Sequence, residues 1–241
     1  MTAEPGELVG KLKRLRRFPV EPLSGEEPEE TRLDGDALTG DRLHELVDVG
    51  TGEALLASAA PVLLTYSARQ SEELLSEDVD EWTRVVSPEG DEFHLGDPLW
   101  TADLGRRLGR AVAVRRRRRL GPSAPGLPLV TNATLDLAER AYGSPIEPVR
   151  LRFNLVVELR RGKAFQEDSW IGLRLRVGDS LFEVRKSSGR AVVTAFRPES
   201  AQGDIEMLDA LLQVHGGTLG VDIRPIAGRH LRVGDPVSLV R

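Results

Sequence analysis

The 241-residue chain contains no cysteine, and this absence excludes several classes of protein. Disulfide bonds, thiolate metal sites, iron–sulfur clusters and cysteine nucleophiles all require that side chain. Histidine is scarce as well, and the spacing of the few present is not that of a metal site; they are His44, His94, His215 and His230. The sequence therefore predicts no metal site built from its own side chains.

Long apolar runs are also lacking. No run approaches the roughly 18 residues of a membrane-spanning helix, and the opening "MTAEPGELVG" lacks the basic start and apolar stretch of a signal peptide. The formal net charge is −5, so the whole chain is not attracted to nucleic acid or to an anionic membrane. We expect a cytoplasmic protein with no membrane association and no specific nucleic-acid partner.

A run of arginines, Arg115–Arg119, is the one strongly basic stretch. It follows the alternating "AVAV", and a continuing strand would direct successive side chains to opposite faces. No aromatic residues lie between the arginines to stack on bases. An exposed edge strand, or pairing with the acidic segment Glu26–Glu30, explains the run better than a nucleic-acid site does.

Short strand patterns separated by glycine, proline and aspartate predict a mostly β protein. Apolar and basic residues alternate from Leu8 to Val20, Val62–Ala68 has the pattern of a strand, and Thr83–Leu95 has the pattern of a hairpin. Helices are predicted in three stretches that have helical periodicity or capping residues: Thr101–Leu108, "TNATLDLAERAYG" and "DIEMLDALLQVHG". The clearest break in the chain is "GPSAPGLP" at Gly121–Pro128.

The stretch "RKSSGRAVVTAF", Arg185–Phe196, predicts two strands joined by a short loop. Ser187, Ser188, Gly189 and Arg190 would form that loop, where hydroxyls, an open backbone and a guanidinium could hold an anion. A polar hairpin turn that faces solvent is the alternative interpretation.

Several segments occur in one characteristic order, and together they resemble the MOSC family, the domain named after the C-terminus of molybdenum cofactor sulfurase. They are "LRRFPV", "LTGDR", "LPLVTNATLDL", "RLRFNLVVEL", "FQEDSWIGLRLRVGDSLFEV", "GRAVVTAF" and "LGVDIRPIAGRHLRVGDPVSLV". The resemblance implies an N-terminal β-domain at residues 8–100, packed on a MOSC-like β-barrel with a few helices at residues 127–241. The segment 101–126, which contains the arginine run, would connect them.

Proteins of this family hold a molybdenum cofactor, a pterin whose dithiolene sulfurs bind the metal and whose phosphate the protein grips. The family's arginine–cysteine pair, which supplies a thiolate to the metal, falls on Arg190 and Ala191, so the ligand is missing here. The family's lysine–serine pair is Glu21-Pro22. The resemblance then implies at most a molybdopterin-type cofactor without a protein thiolate, or another phosphorylated cofactor such as pyridoxal phosphate.

The resemblance also implies a set of cofactor-binding residues: Arg42, Thr131, Thr134, Arg152, Asn154, Ser188, Arg190 and Thr194. Helix N-terminal amides, hydroxyls and guanidiniums together favour a dianion, although N-capping and a buried salt bridge would use the same residue types. Arg190, Arg152 and Ser188 are the catalytic candidates, with the arginines stabilising negative charge. Glu167 and Asp168 are either turn formers or an acid–base pair.

Three functions remain open from the sequence, and whether the protein is an enzyme is one of the open questions. The first is a divergent MOSC protein that binds a pterin-type or other phosphorylated or anionic small molecule, with or without non-redox chemistry. The second is a non-catalytic scaffold or partner protein in a biosynthetic pathway. The third is the family-typical molybdenum cofactor-binding reductase or sulfur carrier.

Overall fold

The computed structural model describes residues 6–70, 82–117, 126–146, 148–189, 196–197 and 200–240. The predicted mostly β fold is confirmed, because strands dominate and seven of them close into a barrel in the order β1-β11-β10-β14-β13-β12-β16. The barrel strands are β1 (Glu7–Leu15), β10 (Leu127–Thr131), β11 (Leu155–Leu159), β12 (Arg174–Val177), β13 (Ser180–Gly189), β14 (Thr218–Ala227) and β16 (Pro236–Val240).

Strand β1 joins the start of the chain to the barrel. It pairs antiparallel with β11 and with β16, so residues from the first segment and from the last share one sheet. The division of the chain at residues 100 and 126 stays a prediction. Alternate side chains of the barrel strands turn inward and form a packed interior; among them are Leu12, Leu129, Val157, Phe182 and Val221.

Three small sheets and a helix lie beside the barrel. The sheets have the orders β15-β3-β4, β2-β5-β9 and β6-β7-β8. A second apolar cluster, which includes Trp100 and Tyr66, packs between the helix and the last two of these sheets. The elements are β2 (Val20–Glu21), β3 (Glu30–Asp34), β4 (Ala37–Leu38), β5 (His44–Asp48), β6 (Ser67–Gln70), β7 (Thr83–Val86), β8 (Glu92–His94), α1 (Pro98–Leu108), β9 (Val112–Arg116) and β15 (His230–Arg232).

The remaining helices cover the outside of the barrel at β10 and β11. They are α2 (Asn132–Tyr142), α3 (Pro148–Leu151) and α4 (Ile205–His215). A third apolar cluster lies between these helices and the outward-facing Val130 and Val156. The three predicted helices and the predicted hairpin at Thr83–Leu95 are present. No helix among the described residues is long and apolar enough to cross a membrane.

Two local predictions were wrong. Val62–Ala68 was expected to be a strand, but Pro61–Thr65 forms a 3-10 helix and only Ser67–Gln70 is extended. Pro61 starts the helix, and the adjacent Leu63 and Leu64 are both buried, which a half-buried strand would not allow. Ser187–Gly189 was expected to be a loop, yet it continues β13 and pairs with β14 from Val221 to Thr218.

The arginine run begins on an edge strand, as expected. Strand β9 pairs on one side with β5, and β5 pairs with β2 on its other side. The expected pairing with Glu26–Glu30 was wrong for Arg115 and Arg117, which contact Glu45 on the neighbouring strand at 2.9 and 3.8 Å. Side chains on directly paired strands are close neighbours, so Glu45 is nearer to these arginines than the acidic segment is. Arg118 and Arg119 lie outside the described residues.

Candidate functional site

Three of the residues singled out from the sequence meet between the barrel and the small sheets. Arg42 Nη1 donates to Oδ1 of Asn154 at 2.8 Å, and Arg42 Nη2 donates to the carbonyl oxygen of Arg152 at 3.2 Å. Asn154 Nδ2 donates in turn to the carbonyl oxygen of Arg16 at 2.9 Å. The end of β1, the segment before β5 and the start of β11 are thus joined through residues that are far apart in sequence.

A carboxylate lies between the two guanidinium groups. Glu21 Oε2 is 3.3 Å from Arg42 Nε, and Glu21 Oε1 is 3.2 Å from Arg152 Nη2. Arg152 Nη1 also donates to the carbonyl oxygen of Leu23 at 3.0 Å. With Asp41, which pairs with Arg42 at 2.5 Å, the arrangement contains two positive and two negative charges. We call Phe18, Glu21, Arg42, Arg152 and Asn154 the guanidinium site.

Phe18 and the backbone hold the two arginines in place. The Cζ atoms of Arg152 and Arg42 lie 4.1 and 4.8 Å from the centroid of the Phe18 ring, within the range of cation–π attraction. Both arginines have left-handed backbone, with φ of 48° at Arg42 and 51° at Arg152. Non-glycine residues adopt this conformation uncommonly, and it concentrates at functional positions.

Burial and neighbouring charges shift the pKa values of Glu21 and Arg152. Burial alone would raise the pKa of Glu21, but the Arg152 and Arg42 guanidiniums outweigh burial and hold that pKa below its ordinary value. Burial lowers the pKa of Arg152, and repulsion from Arg42 acts in the same direction. Glu21 is therefore a carboxylate at neutral pH, and it already serves as the anion of this site.

Thr131 and Thr134 form a separate group at the other end of β10. Thr131 caps helix α2, where its Oγ1 accepts from Thr134 N at 3.3 Å. Glu167, which is fully buried, accepts from Thr131 Oγ1 at 2.8 Å and from Thr131 N at 3.3 Å. We call Thr131, Thr134 and Glu167 the threonine site.

The two sites lie apart along the barrel wall. Thr131 pairs with Val157, whereas Asn154 precedes Leu155, the partner of Leu129. Three residues of strand correspond to about 10 Å at the usual rise. Thr131 and Thr134 therefore lie some distance from Arg152, and each site has a chain carboxylate of its own; that these residues bind one cofactor stays a prediction.

A histidine–carboxylate pair lies close to the threonine site. His215 Nε2 is 3.1 Å from Asp168 Oδ2, and the His215 ring lies 3.9 Å from that of Phe165. Burial raises the pKa of Asp168, and His215 partly offsets that effect. Phe165 N donates to Thr134 Oγ1 at 2.8 Å, so the pair and the threonine site are connected.

The remaining predicted residues belong to the stretch that follows β13. Ser188 is buried near the end of that strand. Arg190, Ala191 and Thr194 lie outside the described residues, so their roles stay predictions.

The side chains do not fit a thiolate-ligated molybdenum centre. The whole chain lacks cysteine, and among the described residues no group of three or more histidine, aspartate or glutamate side chains could hold a metal ion. The cysteine ligand that the family resemblance implies therefore has no counterpart in this chain. The two arginines of the guanidinium site have the charge to bind an anionic group that is not attached to the protein through a metal–thiolate bond.

Comparisons with known proteins agree with the resemblance seen in the sequence. A family model of the MOSC domain matches residues 115–238. No curated protein matches the chain. Among solved structures, the chain is similar to the YuaD protein from Bacillus subtilis, with 13% identity over 96% of each chain and a TM-score of 0.48. It is also similar to YiiM from Geobacillus stearothermophilus, with 18% identity, 48% of this chain and 55% of that chain covered, and a TM-score of 0.39.

Proposed function

The chain belongs to the MOSC domain family, and on that premise we propose that it binds a small phosphorylated or otherwise anionic molecule, such as a pterin phosphate, at the guanidinium site. The observation that carries this proposal is the shared carboxylate: Glu21 lies within 3.3 Å of Arg42 and 3.2 Å of Arg152. A pair of guanidiniums arranged around one carboxylate has the geometry to bind another anion.

Exchange of Glu21 for the ligand is the step that this function requires. Glu21 ends the two-residue strand β2, and its side chain is 30% exposed. Arg152, by contrast, is only 9% exposed in its side chain and stacks on Phe18. The arginines are therefore held in place while the carboxylate has access to solvent, so a ligand phosphate would displace Glu21 without rearranging the cations.

The chemistry available at this site is electrostatic. Fixed guanidiniums stabilise negative charge that develops on a bound molecule, and they do so without reorganising. No step here uses a protein thiolate, because the chain has none. The proposal therefore favours a binding protein, or an enzyme with non-redox chemistry, over the family-typical reductase or sulfur carrier.

Binding of inorganic pyrophosphate, measured by isothermal titration calorimetry at low ionic strength, tests the proposal. We expect Arg152→Met to weaken binding by at least about tenfold, the effect of losing one charge-assisted hydrogen bond. Arg232→Met is the matched control, since it removes the same charge from an exposed pair with Glu30. Absence of pyrophosphate binding, or an equal loss in both variants, would contradict the proposal.

The identity of the ligand needs a second measurement on the purified protein. Oxidation of bound pterins to their fluorescent forms, after expression in a host that makes the molybdenum cofactor, reports whether a pterin accompanies the chain. Native mass spectrometry of the same sample gives the mass of any other bound anion. A pterin signal that disappears in Arg152→Met and persists in Arg232→Met would support the pterin form of the proposal.

A further inference from the structure

A cavity of about 200 Å³ lies on the outside of the barrel, between the end of β1, strand β11 and helix α2. Leu135, Ile146, Leu151, Phe153 and Val156 form an apolar part of its wall, and the other lining residues are polar or charged. The volume is below the roughly 300–1,000 Å³ of pockets that take drug-sized ligands. The cavity is therefore suited to a small molecule with an apolar body.

Arg16 places a buried cation in the wall of this cavity. The residue is 7% exposed and lines the space. Its Nε donates to Oε1 of Glu27 at 2.9 Å, and Nη2 donates to the same oxygen. Nη1 is buried and has no hydrogen-bond partner among the described residues.

The geometry of a guanidinium explains why Nη1 is available. The group is planar, and its donors point along fixed directions. Nε and Nη2 form the edge that faces Glu27, so the N–H groups of Nη1 point away from that carboxylate. A buried charged donor without an acceptor is unfavourable, and an acceptor supplied by a ligand would remove that penalty.

The rim of the cavity adds further charges. Lys13 and Arg14 are exposed at its edge, as is Asp136. Lys13 lies 3.6 Å from Glu158. Glu139, the other acidic residue of the lining, accepts from Ile146 N at 3.1 Å. The lining thus carries three cations and two carboxylates, and two of the cations, Lys13 and Arg16, are paired with Glu158 and Glu27.

We propose that this cavity binds a small carboxylic acid with an apolar body. The carboxylate accepts from Nη1 of Arg16, and the hydrocarbon part packs against Leu135 and Val156. The guanidinium site contributes none of the residues that line this cavity, so the inference does not depend on the function proposed above.

Paired probes that differ only in the head group test this inference on the full chain. We expect 4-methylpentanoate to bind at least about tenfold more tightly than 4-methylpentan-1-ol, because only the acid pairs with the guanidinium. Affinities are measured by titration with ligand-observed NMR. Arg16→Met should abolish the preference for the acid. Lys11→Met, which removes a cation of the same strand outside the cavity, should preserve it.

A second variant addresses the risk that Arg16→Met fails to fold. Leu135 is half-buried on helix α2, so Leu135→Trp narrows the cavity with little disturbance of the core. It should weaken the binding of acid and alcohol alike, with an unchanged circular dichroism spectrum. Equal affinity of the wild-type protein for acid and alcohol, absence of acid binding at millimolar concentration, or full binding by Leu135→Trp would overturn the inference.

Discussion

Replacing Glu21 with glutamine separates the structural role of this carboxylate from its role as the anion of the guanidinium site. The substitution keeps the side-chain size and removes the charge that lies 3.3 Å from Arg42 and 3.2 Å from Arg152. Removing one partner of a fully buried pair costs about 3–5 kcal/mol. Because Glu21 is partly exposed and glutamine still offers an acceptor, we expect a loss of about 1–3 kcal/mol in the free energy of unfolding.

The same substitution should increase the affinity for added anions. Without Glu21, Arg42 keeps its ion pair with Asp41, whereas Arg152 loses the carboxylate that lies 3.2 Å away. A ligand that binds only the folded state adds about 2.7 kcal/mol of stability at a concentration of 100 times its Kd. Pyrophosphate should therefore restore most of the lost stability in Glu21→Gln and stabilise the wild-type protein much less.

Urea unfolding at pH 7, with and without pyrophosphate, measures both effects. Glu30→Gln is the matched control, because Glu30 forms an exposed pair with Arg232 and such pairs contribute little.

The pH dependence of the free energy of unfolding gives an independent check. Since the pKa of Glu21 is lowered, its contribution is present above its ordinary pKa and is lost as pH falls through the lowered value. The free energy of unfolding of Glu21→Gln should therefore not show this loss as the pH falls. A variant as stable as the wild type, and indifferent to pyrophosphate, would refute the reasoning.

Three further predictions concern other parts of the chain. Asp204→Asn should lower the free energy of unfolding by about 3–5 kcal/mol in urea, because Asp204 and Arg150 form a buried pair at 3.1 Å; a smaller change than in Glu21→Gln would contradict this. The wild-type protein should carry no stoichiometric molybdenum by elemental analysis, and Ala191→Cys should raise the amount retained; unchanged retention would show that the pocket itself has diverged. Nucleic acid should bind Arg115–Arg119 weakly and lose affinity steeply with salt, as phosphate contacts do; sequence-specific binding at physiological salt would contradict that.

The sheet architecture could be predicted because its signals are local. Alternation of apolar and polar residues identifies half-buried strands, and β1, β7 and β9 lie close to where the pattern predicts them. The capping residue Thr131 and the closing Gly143 delimit helix α2 as expected. Ser187–Gly189 was misread because the partner of that strand, near Thr218, is distant in sequence, and turn-forming residues can also continue a paired strand.

The functional residues were predicted less completely. Resemblance to the family identified Arg42, Arg152 and Asn154, which do meet in space. The engagement of Glu21 was missed, although an acidic residue in place of the family's lysine was a visible signal. No sequence pattern indicated that Arg16 is buried, since a basic residue at the end of an alternating strand ordinarily faces solvent. Its burial depends on tertiary contacts, among them the bond from Nε of Arg16 to Glu27 at 2.9 Å, which sequence alone does not reveal.

The guanidinium site and the threonine site each contain a carboxylate of the chain itself, Glu21 and Glu167. These two carboxylates differ in how easily a ligand can displace them. Glu167 is fully buried and accepts both hydrogen bonds from Thr131, so displacing it would leave buried donors and a buried charge without partners. Glu21 is 30% exposed and faces cations that can accept another anion. Glu167→Gln should therefore destabilise the fold without increasing the affinity for pyrophosphate, whereas Glu21→Gln should both destabilise the fold and increase that affinity. An increase of pyrophosphate affinity in Glu167→Gln alone would contradict this and indicate that the anion binds at the N-terminus of helix α2.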